Sequence, residues 1–105
     1  MNSKVTRIYK FGGASVKSAD GVKNIASIVR ASSDNLVVVV SAMGKTTNAL
    51  EKLLGAHLAG SADKWELFAN LQRFHFEIAK ELMCSSDTIL NERLEILLGQ
   101  MQAML

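Results

Sequence analysis

The sequence predicts an α/β fold from three observations. Two short apolar runs are rich in β-branched residues, a helical stripe lies between them, and the second half is helical throughout. Val5–Phe11 reads VTRIYKF and stops at Gly12-Gly13, a strand followed by a turn. Residues 19–31 put Val22, Ile25, Ala26, Ile28 and Val29 at helical spacing, with Ser18 or Asp20 available as the N-cap. The polar run Ser32-Ser33-Asp34-Asn35 ends that helix. Leu36–Val40 then reads LVVVV, apolar at consecutive positions as in a strand buried on both faces. Strand, turn, helix, loop and strand make a parallel βαβ unit with a right-handed crossover.

The helical half begins near Thr47, where Leu50, Leu53, Leu54 and Leu58 share a stripe and Asn48 with Glu51 forms a candidate capping pair. Gly60-Ser61-Ala62 breaks this helix. Asp63 with Glu66 opens the next in the same way, and Trp65, Phe68, Leu71, His75, Ile78 and Leu82 step along one face. Ser85-Ser86-Asp87 is a second break. The last helix carries Leu90, Leu94, Leu97, Leu98, Met101 and Leu105 without a C-terminal capping signal. Two parallel strands alone cannot form a covered sheet. Further strands are therefore expected, either from a second chain or, as favoured here, from residues beyond this one.

Composition sets limits on function. The chain has 105 residues, 49% of them hydrophobic, so it can form a core and is too short for two ordinary domains. A formal charge of +2 marks no nucleic-acid surface, and no apolar run is long enough for a membrane span. The single cysteine, Cys84, excludes an internal disulfide and a thiolate zinc cage. It reads as a small apolar filler. Met1–Lys4 lead into a mixed strand rather than a signal-peptide core. These features suit a soluble protein of a reducing, cytoplasmic compartment. His75, between Phe74 and Phe76 and with His57 as its only companion, reads as a packed histidine rather than a ligand.

Two turns carry the chemistry. Lys10-Phe11-Gly12-Gly13-Ala14-Ser15 ends the first strand, where open α/β sheets bind ligands. Adjacent glycines let backbone N–H groups approach an anion, a helix start behind them adds a favourable dipole, and Lys10 supplies a full charge. The same residues also suit a plain strand-to-helix turn with a solvated lysine. Ser41-Ala42-Met43-Gly44-Lys45-Thr46-Thr47-Asn48 follows the second strand and opens at the same edge. Gly44-Lys45-Thr46 copies the end of a P-loop, but the required first glycine would fall at Val39, so that motif fails. Ser41 and Thr47 suit strand termination and helix capping as well as ligand binding.

Lys10–Val16 (KFGGASV) together with Val38–Asn48 (VVVSAMGKTTN) resembles the N-terminal part of the aspartate kinases. Ala14 stands where that family commonly has Thr. The resemblance implies the N-terminal portion of an amino-acid kinase-like three-layer α/β/α fold, with a parallel βαβ unit followed by a helical segment. It covers residues 4–60 well and the later helices in general character, so residues 1–105 are expected to be an incomplete domain lacking the nucleotide-base half. It implies phosphoryl transfer from MgATP to the β-carboxylate of L-aspartate, at the start of Lys, Thr and Met biosynthesis. ATP and Mg²⁺ are the implied cofactors, and a homo-oligomer is implied for a full-length enzyme. By the same resemblance Lys10 is catalytic and contacts the ATP phosphates, with Gly12, Gly13 and Ser15 beside them. Ser41 and Thr47 hold aspartate, and no metal ligand is implied. Two alternatives remain: another amino-acid kinase-fold enzyme, such as a glutamate kinase, or a non-catalytic helical interaction module using Trp65–Leu105.

Overall fold

The computed structural model describes residues 5–83 and 88–105. The N-terminal Met1–Lys4, the break at Ser85-Ser86-Asp87, and Cys84 lie outside the described residues. The chain divides into two compact units, residues 1–45 and 46–105.

The first unit is the expected βαβ. Strand β1 spans Thr6–Phe11, helix α1 spans Ala19–Ala31 and strand β2 spans Asn35–Val40. The strands pair in parallel, from Thr6 opposite Asn35 to Phe11 opposite Val40. Backbone bonds extend the ladder at both ends: Asn35 N–H donates to the Val5 carbonyl at 3.1 Å and Ser41 N–H to the Phe11 carbonyl at 2.9 Å. At the entry end, Arg7 Nε donates to the Asp34 carboxylate. That hydrogen bond, with the carboxylate's charge, holds the guanidinium above its usual pKa.

Ser18 is the N-cap of α1, its hydroxyl accepting from Gly21 N–H at 3.1 Å. Between β1 and α1 the chain makes a 3₁₀ turn, Gly13–Val16, which packs against both elements and buries Val16. The glycine turn therefore does not lead directly into a helix start. Ser18 takes an amide of the α1 first turn, which weakens the dipole contribution expected there.

The strands are more exposed than their composition predicts. Ile8 is 71% and Val40 53% exposed, and Phe11 is the buried strand residue. Two strands are too narrow a sheet to be covered on both faces by the described residues. On α1, Val22, Ile25, Ala26 and Val29 are half-buried, while Ile28 is exposed.

The second unit contains helices α2 (Thr46–Leu58), α3 (Asp63–Leu82) and α4 (Thr88–Ala103), with α3 packed on the other two. Helix α2 starts before Asn48, which therefore lies inside the helix rather than capping it. It closes with Gly60 N–H on the His57 carbonyl and Ser61 N–H on the Ala56 carbonyl, a Schellman arrangement. The start of α3 is held by Ser61, whose hydroxyl accepts from Asp63 N–H at 3.2 Å. Asp63 itself is the first helical residue, and the N-cap position is Ala62, which has no side-chain cap bond.

Leu53, Phe68, Leu71 and Leu98 form the buried centre, with Ala49, Leu67, Phe76, Leu94, Met101 and Leu105 packed around it. Ile78 of the α3 stripe is buried too, but Trp65 is 48% exposed with Lys64 Nζ 5.0 Å from its ring centroid. His75 Nδ1 lies 2.8 Å from the Leu71 carbonyl, which suits the packed reading. Phe68, 3% exposed, is central to this unit. Phe68→Ala in the complete protein is expected to cost ~3–5 kcal/mol in urea unfolding, as for other aromatic truncations in close-packed cores.

Candidate functional site

The parallel pairing brings the carboxyl ends of β1 and β2 to one sheet edge, and the two loops of interest leave from it. Lys10 is the penultimate residue of β1, opposite Val39. Lys10 is exposed, and it borders an open groove together with Ile8, Tyr9, Phe11 and Ile28. Alternation puts Lys10 on the face opposite Tyr9 and Phe11, whose rings meet edge to face with centroids 6.3 Å apart. The buried ring of Phe11 thus fixes the strand end that carries the lysine.

Gly12 is extended, with φ −78° and ψ 175°, and its carbonyl accepts from Ser15 N–H at 3.0 Å. A Cβ added at Gly12 would meet nothing within 4 Å. The backbone here faces open space, as close approach of a phosphate requires. Ser15 is exposed on the same turn.

Gly13 faces the second loop instead. A Cβ there would lie 2.6 Å from the Gly44 carbonyl oxygen and 3.7 Å from that of Ala42. Gly44 turns the loop with φ +56°, a left-handed conformation open to glycine at little cost. The two loops are therefore in backbone contact. Ser41, at the start of the second loop, is exposed and donates its hydroxyl to the Ala42 carbonyl at 3.0 Å. Its oxygen can accept as it stands, and rotation about χ1 would free the proton for a ligand. Lys10, Gly12, Gly13, Ser15 and Ser41 are thus grouped within one compact unit. Thr47, on the first turn of α2 and exposed, belongs to the other unit.

A model of the amino acid kinase family matches residues 6–102, from β1 through most of α4. The chain belongs to that family. Among curated relatives, aspartokinase 1, chloroplastic, of Arabidopsis thaliana is 37% identical over 101 residues, covering 90% of this chain. Aspartokinase 2, chloroplastic, of the same plant is 34% identical over 97 residues, or 88% of this chain. Aspartokinase of Bacillus sp. (strain MGA3) is 45% identical over 56 residues, covering 48% of this chain and 14% of that relative. The chain spans 18% of the length of the two plant relatives.

Membership in an amino acid kinase family brings ATP and magnesium into question. The open backbone at Gly12 beside exposed Lys10 fits a phosphate. Among the described residues no three His, Cys, Asp or Glu side chains are grouped as a metal cluster. No helix among the described residues is long and apolar enough to cross a membrane.

One residue that shapes this site escaped the sequence reading. Gly21, in the first turn of α1, has the Ser15 carbonyl oxygen only 2.4 Å from where its Cβ would be. A lone glycine in a first turn was the available signal, but nothing in the sequence says what approaches it. Gly→Ala in a helix normally stabilises by up to ~1 kcal/mol. Gly21→Ala is expected to reverse that sign and destabilise by ~1–3 kcal/mol, because backbone must move. Chemical denaturation of the complete protein measures it.

Proposed function

We propose that this segment supplies the phosphate-contacting lysine and part of the acceptor pocket of an aspartate kinase. The observation that carries this reading is the contact between the Gly12–Ser15 and Ser41–Lys45 loops at one sheet edge, in a chain related to aspartokinases. A donor anion and an acceptor held on touching loops can be brought in line.

In this reaction a β-carboxylate oxygen of L-aspartate forms a bond to the γ-phosphorus of ATP. The bond from that phosphorus to the β,γ-bridging oxygen breaks, and ADP leaves with the electron pair. The product is aspartyl phosphate. The carboxylate is already ionised near neutral pH, so no strong base is needed. Positioning and charge stabilisation then carry most of the catalysis. Lys10 neutralises charge on the transferring phosphoryl group, and Gly12 lets the backbone come close to it. Gly13 and Ser15 continue the same loop. Ser41 and Thr47 orient the aspartate through their hydroxyls. Mg²⁺, when bound with ATP, supplies further charge neutralisation. The reading includes a role at the start of Lys, Thr and Met biosynthesis, a cytoplasmic location and a homo-oligomeric enzyme.

Incubating the complete protein with MgATP and either L-aspartate or L-glutamate, and trapping acyl phosphate with hydroxylamine, tests it directly. Product with aspartate is expected; product with glutamate alone would move the assignment to another amino-acid kinase. Lys10→Ala is expected to lower kcat by ~10²–10³-fold, the usual loss on removing one transition-state charge stabiliser. Normal turnover in that variant would remove Lys10 from the reaction. Ser41→Ala is expected to raise the KM for aspartate about tenfold, the value of one net hydrogen bond, while the KM for MgATP stays near wild type.

A further inference from the structure

We infer that Gly13 is a positioning residue that couples the acceptor loop to the phosphate loop, its missing side chain making room for the backbone of the second loop. For its kinetic consequence the inference rests on the aspartate kinase reading above.

The two adjacent glycines have different surroundings. A Cβ at Gly12 would meet nothing within 4 Å, whereas one at Gly13 would meet the Gly44 carbonyl oxygen at 2.6 Å. That separation is shorter than real Cβ contacts allow, and the opposing atom is backbone, so no side-chain rotation relieves it. The Ala42 carbonyl oxygen lies 3.7 Å from the same point. Two carbonyl oxygens on this side also make it an unfavourable place for phosphate, since both are electron-rich acceptors.

The contact has consequences along the second loop. Gly44 is fixed at φ +56°, so its carbonyl direction is set by a turn with little freedom to adjust. Three residues earlier, Ser41 N–H is held by the Phe11 carbonyl at 2.9 Å. The loop between is therefore tied to β1 at one end and to Gly13 near the other. Lifting it away from Gly13 would move Ser41's neighbours and the proposed acceptor position together. Reacting groups must be placed to within a fraction of an ångström, so a loop shift should affect both substrates.

The test compares Gly12→Ala, Gly13→Ala and Gly44→Ala in the complete protein. Amide hydrogen exchange at residues 42–45 reads the contact without reference to any activity. Exchange there is expected to quicken by at least about tenfold in Gly13→Ala and to stay near wild type in Gly12→Ala. In kinetics, Gly13→Ala should raise the KM for aspartate and for MgATP together, whereas Gly12→Ala should raise that for MgATP alone. Gly44→Ala strains the left-handed residue whose carbonyl makes the contact. Combined with Gly13→Ala it should add little to either single effect, the non-additivity expected of residues sharing one interaction. The proposal is overturned if Gly13→Ala leaves exchange at 42–45 unchanged, or raises the KM for MgATP alone. If Gly13→Ala does not fold, Gly44→Ala decides by the same exchange and KM criteria. Failure of the wild-type protein to phosphorylate aspartate would sink the functional reading while the exchange result still judged the coupling.

Discussion

The parallel register between β1 and β2 is the constraint on which the first unit depends. Phe11 opposite Val40, with the Ser41 amide on the Phe11 carbonyl, makes both strands end at the same level. An antiparallel pair would send the two following loops to opposite edges. Parallel pairing requires a crossover, and the 13-residue helix α1 is the main part of it. The two glycine-bearing loops can touch only because the strands that deliver them run in the same direction and stop together.

Glycine then determines how closely the loops approach. A pair of side-chain-bearing loops would keep their backbones apart by the width of a Cβ and its neighbours. At Gly13 the approach is short enough to exclude a side chain, and at Gly21 the Ser15 carbonyl uses the same freedom from below. The 3₁₀ turn is thus fitted between α1 on one side and the second loop on the other. The helical unit follows a different rule. Its centre at Leu53, Phe68, Leu71 and Leu98 is made by ordinary burial of apolar stripes, with no special backbone approach.

Periodicity made the elements legible. Residues 19–31 form the helix expected of them, and both strands lie where β-branched composition put them. Ser18 was a candidate cap by residue type, and its hydroxyl takes that role. Periodicity could not say which half of an apolar stripe is covered. Leu53 is buried while Leu58, five residues on, is 76% exposed, because only one side of α2 meets α3. The 3₁₀ turn was illegible for another reason: four residues are too few to show a period. The loop residues were legible by type, but the Gly13–Gly44 contact is tertiary, and the local approach of Ser15 to Gly21 depends on the 3₁₀ turn. No local pattern in a single sequence encodes a backbone contact across about thirty residues.

The charge of the two loops suits the anion proposed at this edge. Residues 10–17 and 41–48 contain Lys10, Lys17 and Lys45 and no aspartate or glutamate. In sequence the next carboxylates are Asp20, in the first turn of α1, and Glu51 on α2, while Asp34 is paired with Arg7 at the opposite end of the sheet. A plain strand-to-helix turn has no need to exclude acidic residues from two loops separated by twenty-odd positions. The two substrates proposed above are both anions, and a site that joined such a pair would have to offset their repulsion before aligning them. Lys10, Lys17 and Lys45 belong to one compact unit, in which the two loops are in backbone contact at Gly13 and Gly44.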